Sequence, residues 1–525
     1  MIQDDAVKKA VSHILQRSER QADIHKLLGT FVDVGVLPQL NNRNNQILFG
    51  RRGTGKTHVL RVLESRVLEE SGTAVVYIDA RTLGSSAQFA DPSVSMPTRC
   101  LALFRDILNE VYNSLLEYVV ANPPHRSNDA LAALDELVAS INTPVEVLAP
   151  ETVAATVTTE ASRGAHIGAT VGARGAGLAT GMDETRSSGV KTETAFRVNR
   201  EDKVQFPAIH YFLSKALDLA NVDVYLLLDE WSSLPNDVQP YLAEFLKRGV
   251  LPIQRAVLKI AALEHRCNFS VPQNPGILGF EVGADISTAQ DLDDYYVFDR
   301  NPEQITDAYA DMVLRHLAAE LPEGYLADNY RVRSGAELAS RMFTERATFA
   351  ELARASEGVV RDLINIFTNA YFHATRRGRD SIDRKAVVDA ARQWFEQDKA
   401  RYLDEDLQGV LRRIVDEVIG ARKARSFLLP RELEKHPSVQ RLFDARVLHQ
   451  MQRGYADKDN PGVRYNIYSL DYGTYVDLLG TSKQPELNLQ EHDEETLEFV
   501  VPYDDKRSIR RIILSEEVLT TSATA

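Results

Sequence analysis

The sequence predicts an α/β protein: a core with a parallel five-stranded sheet carrying a phosphate-binding loop, then an α-helical region, then a small domain with the order of a winged helix. Three observations predict this. The stretch Gly50-Arg51-Arg52-Gly53-Thr54-Gly55-Lys56-Thr57 fills the pattern G-x-x-x-x-G-K-[ST] between an apolar run, Ile47-Leu48-Phe49, and a helix-like segment from His58 to Glu70. Strand-like and helix-like segments alternate through the first 300 residues, the signature of a parallel sheet. Residues 404–474 read helix, helix, helix, strand, strand, with the turn Asp457-Lys458-Asp459-Asn460-Pro461-Gly462 between the strands.

The elements follow in order. Residues 1–44 hold an N-terminal helical segment, Val7 to Leu27, and a loop. The core spans 45–300. Its strands are Ile47 to Phe49, Ala74 to Asp79, Val222 to Leu228, Val257 to Leu263 and an edge strand, Tyr295 to Phe298. Its helices are His58 to Glu70, Thr98 to Val119, Pro207 to Ala220 and Val238 to Lys247. Val222 to Leu228 is apolar on both faces except at Asp223, as a central strand covered by helices must be. An insertion at about 120–205 opens at Asn122-Pro123-Pro124-His125 and is crowded with Ala, Gly, Thr and Ser from 150 to 200. It reads as a loop with too few bulky residues for a core, or as a hairpin that orders on a partner or a neighbouring subunit. Residues 301–399 are mostly helical, and 400–480 form the winged helix with helices Asp404 to Ile419, Pro430 to Lys435 and Val439 to Val447. Residues 481–525 are an acidic tail, with Arg507, Arg510 and Arg511 before an unstructured end.

Composition narrows the function. The chain of 525 residues is long enough for several domains. Its 61 Lys and Arg against 75 Asp and Glu argue against coating nucleic acid along the whole surface, so any DNA contact is local. The two cysteines, Cys100 and Cys267, stand far apart without companions at metal-ligand spacing, which excludes a disulfide framework and a zinc site. No run approaches 18 apolar residues, and the N-terminus has neither a basic nor an apolar leader region, so the expectation is a soluble cytoplasmic protein without a membrane partner.

The candidate chemistry begins at the loop. Its glycines allow positive φ, so successive N–H groups turn inward while the following helix presents its positive end to a polyphosphate. Gly50, Arg52, Gly53, Thr54, Gly55, Lys56, Thr57 and His58 are the candidate ATP-binding residues, with Lys56 on the outer phosphates and Thr57 on Mg²⁺. Leu226-Leu227-Leu228-Asp229-Glu230 supplies what the loop lacks. Asp229 at the end of an apolar strand is the second candidate for the metal shell, and Glu230 is the candidate general base for an attacking water. Asp79-Ala80-Arg81 closes another strand at the same sheet edge, where it lines the site or forms an ion pair.

At these residues the chain resembles the AAA+ ATPases. Gly50 to Thr57 looks like Walker A, Leu226 to Glu230 like Walker B, and Glu357-Gly358-Val359-Val360-Arg361-Asp362 resembles the sensor 2 motif that opens a lid helix. A winged helix after that lid resembles the origin-recognition initiator branch, including bacterial relatives found in mobile-element and phage-defence contexts. The resemblance covers roughly residues 20–475. It implies a Mg²⁺-dependent, assembling ATPase in which Arg361 touches the γ-phosphate from the lid. Where sensor 1 should fall, Glu264-His265-Arg266-Cys267-Asn268 departs from the family pattern. Arg266 is the candidate there, against an interdomain salt bridge, with Asn268 second. Arg248 is the candidate arginine finger for a neighbouring subunit, with Arg255 and Arg300 as alternatives.

From Ile419 to Leu470 ten cations face five carboxylates, a local excess that supports a phosphate-contacting surface. In a winged helix, Arg441 or Arg446 would enter the major groove while Lys458 and Arg464 track the backbone. Two functions are therefore expected: an oligomeric, DNA-associated ATPase, plausibly in anti-phage defence or mobile-element biology, or a nucleotide-gated scaffold that regulates a separate effector protein.

Overall fold

The computed structural model describes residues 1–15, 21, 23–84, 90–142, 145–153, 193–201, 204–298, 301–422, 424–456, 462–477 and 512–520. The N-terminal segment forms α1 (Asp5–His13), α2 (Ile24–Thr30) and the short α3 (Leu37–Leu40), where one continuous helix from Val7 to Leu27 was expected. Asp4 and Asp23 cap the first two through their side chains, so the chain restarts a helix rather than continuing one.

The core then runs β1 (Gln46–Phe49), α4 (Lys56–Leu68), β2 (Thr73–Asp79), α5 (Met96–Ala121), α6 (Ser127–Asn142), the hairpin β3 (Val145–Val153) and β4 (Glu193–Glu201), and α7 (Phe206–Ala220). It continues through β5 (Asp223–Asp229), α8 (Gln239–Gly249), β6 (Ala256–Ala262), a small hairpin of β7 (Ser270–Pro272) and β8 (Ile277–Gly279), and β9 (Ser287–Asp291). The strands order β2-β5-β6-β1-β9, and every neighbour pair is parallel. Strands β5 and β6 are buried along almost their whole length, which explains the apolar run of β5 from Val224 to Leu228 and of β6 apart from the buried Lys259. The Gly/Ala-rich stretch 154–192 lies outside the described residues.

The fifth strand is a correction. Tyr295 to Phe298 was expected at the edge, but Ser287–Asp291 takes that place. Tyr296 and Phe298 are buried, and Tyr296 stacks on Tyr309 of the following helical region at 5.8 Å. The aromatic run anchors the lid, and the true edge strand is polar, so no apolar alternation marked it.

The lid consists of α9 (Pro302–Ala318), α10 (Tyr325–Tyr330), α11 (Gly335–Met342), α12 (Arg346–Ala355), α13 (Val360–Arg376) and α14 (Arg384–Trp394). Next comes α15 (Glu405–Val415), β10 (Ser426–Pro430), a 3-10 turn (Arg431–Lys435), α16 (Pro437–Asp444), β11 (Leu448–Ala456), β12 (Arg464–Leu470) and α17 (Tyr472–Asp477). Strand β10 was not expected; it pairs antiparallel with β12 to give the order β10-β12-β11. Residues 512–520 of the tail pack against this domain. Leu428 N–H donates to Ile512 O at 2.8 Å, Leu514 N–H donates to Leu428 O at 2.9 Å, and Arg413 holds the Val518 carbonyl at 3.1 Å. One contiguous apolar core joins the N-terminal helices, one face of the sheet, the lid and the C-terminal domain. Among the described residues no helix is long and apolar enough to cross a membrane.

Candidate functional site: a phosphate loop beneath three modules

The loop between β1 and α4 has the backbone its glycines permit. Gly53 at φ 88° and Gly55 at φ 101° lie in the left-handed region, and Lys56 is the first residue of α4. The Lys56 ammonium donates to the carbonyls of Gly50 at 2.8 Å and Arg51 at 3.0 Å, which uses two of its three N–H groups. Thr54 spends its hydroxyl on the Arg51 carbonyl at 2.9 Å, so it shapes the loop instead of facing a ligand. Burial pulls the Lys56 pKa down, against the opposing charges of Glu230, Asp293 and Asp229. A phosphate arriving at this helix end would therefore meet a cation that burial has left poorly solvated, where its charge counts for most.

Strand β5 brings its acidic end to the same place. Asp229 is 1% exposed; one carboxylate oxygen accepts the Glu230 N–H at 2.8 Å and the other accepts the Tyr77 hydroxyl at 2.7 Å. Burial and the Asp229 charge push the Tyr77 phenol far above its ordinary pKa, so it stays protonated and donating. The Arg61 guanidinium lies 3.4 Å from the centre of the Tyr77 ring and braces it. Each Asp229 oxygen keeps a second lone pair and, like the Thr57 hydroxyl, is a hard oxygen donor of the kind Mg²⁺ takes; Thr57 lines the cavity, whereas Asp229 is not among its lining residues. Glu230 adopts φ 54°, ψ 35°, uncommon for a residue with a side chain, and it lines the cavity with Lys56. Of the five non-glycine residues with positive φ among the described residues, Glu230 and Arg446 line this cavity and Glu357 accepts from Arg51 of the loop.

The cavity above the loop measures about 570 Å³, within the range of small-ligand pockets. Arg52, Gly53, Gly55, Lys56, Thr57 and His58 line its floor, with Glu230, Arg81, Arg266 and Arg361 around them. Asp79 binds Arg81 at 2.9 and 3.0 Å; burial alone would raise that carboxyl, but the Arg81 hydrogen bonds hold it below its ordinary pKa. The N-terminal segment and the helices after residue 301 add Ile14, Leu15, Leu27, His316 and Ile364 to the lining, with the polar Gln21 and Glu320 among them. His58 approaches the Leu27 carbonyl at 2.6 Å, and burial keeps both His58 and His316 below the ordinary imidazole pKa, His316 at about 4. Sequence reasoning gave the N-terminal helices no role here. No local motif says which distant segment closes a cavity above such a loop.

The lid meets the loop directly. Arg361 N–H donates to the Gly53 carbonyl at 3.0 Å, and a Cβ added at Gly53 would fall 2.7 Å from the Arg361 Cβ. Arg361 lines the cavity while its neighbour Asp362 is fully buried, paired with Lys399 at 3.0 Å and with Arg446. Arg266 also lines the cavity, but its guanidinium is engaged by Asp444, the interdomain pairing weighed against a phosphate role. Asn268 donates its N–H to Gln239 Oε1 at 2.7 Å. Arg248 lies away from the cavity with its guanidinium 4.4 Å from the Phe206 ring centre, and Arg255 pairs with Asp218 and Asp223; Arg300 is outside the described residues.

The cationic surface expected on the C-terminal domain is corrected in part. Arg446 is 5% exposed and pairs with Asp362 and Asp398, so it reaches into the lid and not outward into a groove. Arg425 is buried against Glu357, Arg441 is tied to Asp404, and Arg453 holds Glu264 at 2.6 Å and Asp291 at 2.5 Å. The excess charge is used largely inside the chain, because the acidic ends of the core strands and lid helices are its nearest partners. Lys458 lies outside the described residues, and Arg464 donates to the Gly454 carbonyl at 3.1 Å.

These features bring a glycine loop, an acidic strand end and the helix that carries Arg361 together around one cavity. Residues 18–82, which contain the loop and β2, match the ORC-CDC6-like family model. No curated protein matches the chain. Among solved structures it is similar to Cdc6p from Pyrobaculum aerophilum, with 14% identity over 89% of this chain and 94% of that one, TM-score 0.30. It is also similar to the ORC2 protein of Aeropyrum pernix in ADPNP-ADP complexes, with 12% identity over 83% and 89%, TM-score 0.36. The RuvB Holliday junction branch migration motor of Thermotoga maritima shares 11% identity over 87% and 94%, TM-score 0.31.

Proposed function

We propose that this protein is a Mg²⁺-dependent AAA+ ATPase of the origin-recognition-like type that changes conformation with its nucleotide and works on DNA as a homo-oligomer. The observation that carries the reading is the convergence of Lys56, Thr57, Glu230 and Arg361 on one cavity at the N-terminus of α4. The match of residues 18–82 to the ORC-CDC6-like model supports the type. In this reading the N–H groups of Gly53 to His58 hold the phosphates, and Lys56 turns its third N–H to the outer ones. Thr57 and Asp229 hold Mg²⁺, which when bound neutralises phosphate charge. Tyr77 keeps Asp229 in place. Glu230 orients and deprotonates the attacking water, and Arg361 steadies the terminal phosphate from the lid. Arg248 completes a neighbour's site. The helix, strand, helix and hairpin of residues 405–470 support a winged-helix reading. A setting in phage defence or mobile-element biology is the one the resemblance implies.

The test is a pair of variants. Lys56→Ala abolishes binding of ATP, whereas Glu230→Gln keeps binding and lowers turnover by about 10²-fold or more. Full turnover in Glu230→Gln would remove the base from this account. A second reading, the nucleotide-gated scaffold that regulates a separate effector, is favoured by one observation: Arg425, Arg441, Arg446 and Arg453 are engaged by carboxylates of the same chain. DNA-stimulated turnover that falls steeply with salt separates the two, since the scaffold is silent to DNA.

A further inference from the structure

Arg51 occupies a position of the loop pattern that any residue can fill, so its identity owes nothing to phosphate binding. Yet it is 6% exposed and its side chain turns away from the cavity. Its guanidinium donates to Nδ1 of His449 on β11 and to the Glu357 carbonyl at 2.8 Å, and it pairs with Asp293 at 3.1 Å. The Arg51 backbone N–H also reaches Asp293, at 3.1 Å. One loop residue thus touches the core, the lid and the C-terminal domain.

His449 uses both ring nitrogens. Nδ1 must accept from Arg51, so Nε2 carries the proton and donates to Asp471 Oδ1 at 2.9 Å. Burial and the Arg51 charge lower its pKa to about 3, which keeps the ring in the state this geometry requires. Asp471 is in turn engaged by Lys399, which also holds Asp362. On the opposite side, the Arg51 carbonyl is the acceptor for Thr54 and Lys56. A displacement of Arg51 therefore moves the acceptor that orients the Lys56 ammonium.

We propose that His449 is a positioning residue for the phosphate loop: it holds Arg51, and through the Arg51 carbonyl Lys56, in the arrangement that receives a polyphosphate. Nucleotide binding and docking of the C-terminal domain are then one coupled equilibrium, and each stabilises the other to the same extent. The inference rests on the reading of the loop as a nucleotide site, and deepens it by naming the domain that senses occupancy.

The experiment uses the full chain and a fluorescent N-methylanthraniloyl ATP, with hydrogen exchange of residues 426–470 as the second readout. His449→Leu, which removes donor and acceptor, raises the Kd about tenfold, a typical coupling between sites. His449→Gln, whose amide can accept from Arg51 and donate to Asp471, restores most of it. In the wild-type chain the nucleotide slows exchange in 426–470; in His449→Leu it does not. If His449→Leu does not fold, Arg51→Met carries the same test. Wild-type Kd in a folded His449→Leu chain, or exchange in 426–470 that ignores nucleotide in the wild type, overturns the coupling alone. A wild-type chain that binds no nucleotide overturns the site and the coupling together.

Discussion

Gly53 and Gly55 offer a matched pair for measuring how tightly the lid grips the loop. Both have left-handed backbone, at φ 88° and 101°, so alanine at either site costs about 1–2 kcal/mol of backbone strain. Only Gly53 faces a neighbour. Its Cβ would stand 2.7 Å from the Arg361 Cβ and 3.1 Å from Val359 Cγ1, whereas nothing lies within 4 Å of a Cβ at Gly55. The Arg361 Cβ is fixed to the first turn of α13 and cannot rotate away, so the lid helix itself must shift. Overpacking of this kind costs about 1–3 kcal/mol, and the Arg361 to Gly53 hydrogen bond lost with it about 1 kcal/mol more. Gly53→Ala should therefore destabilise the chain by about 3–6 kcal/mol and Gly55→Ala by about 1–2 kcal/mol. Urea unfolding without nucleotide measures this, followed by the fluorescence of the two tryptophans, Trp231 in the turn after β5 and Trp394 beside the cavity. Leaving nucleotide out matters, because on the proposed reading a methyl group at Gly55 would also obstruct phosphate. Equal losses in the two variants would refute the direct lid contact.

Arg446→Met leaves the buried Asp362 with Lys399 but without its second cation, a loss of about 3 kcal/mol on the scale of broken buried pairs. DNA affinity at fixed salt should not fall; a folded variant of unchanged stability with weakened DNA binding would return Arg446 to the groove-contact role expected from sequence. The response to acid follows from groups whose protons differ between folded and unfolded chains. His449, lowered to about 3 by burial and Arg51, and His316, lowered to about 4 by burial and His58, refuse protons that the unfolded chain accepts below about 6.5. Their contribution is complete above that pH and is lost on acidification, at about 1.4 kcal/mol per pH unit each. Asp291, raised to about 7 by burial and Asp293, works the other way, since the folded chain holds its proton where the unfolded chain releases it. His58, also lowered by burial, adds to the loss, so the balance between pH 6.5 and 4 is a net loss and Asp291→Asn should deepen it. Urea midpoints measured from pH 7 to pH 5 check this, and a flat profile in Asp291→Asn would contradict it.

What the amino-acid sequence determined by itself is whatever chemistry is contiguous. The loop from Gly50 to Thr57 is a run of backbone amides followed by a helix, so its residues alone specify the shape, and the acidic end of β5 follows from one apolar run meeting two carboxylates. Tertiary structure decided everything that depends on distant partners. Ser287–Asp291 could not be recognised as an edge strand, because a half-covered polar strand leaves no apolar period. Strand β10 was hidden for a related reason: Ser426–Pro430 is short, and only pairing with β12 makes it a strand. The arginines of the C-terminal domain looked like a surface for phosphates because charge composition carries no direction. The fold turned Arg425 and Arg446 inward, where Glu357 and Asp362 neutralise them across 68 and 84 residues of sequence. Arg51 is the sharpest case. As a letter in a motif it is free to vary, and only the packing of three modules around it made it the point where they meet.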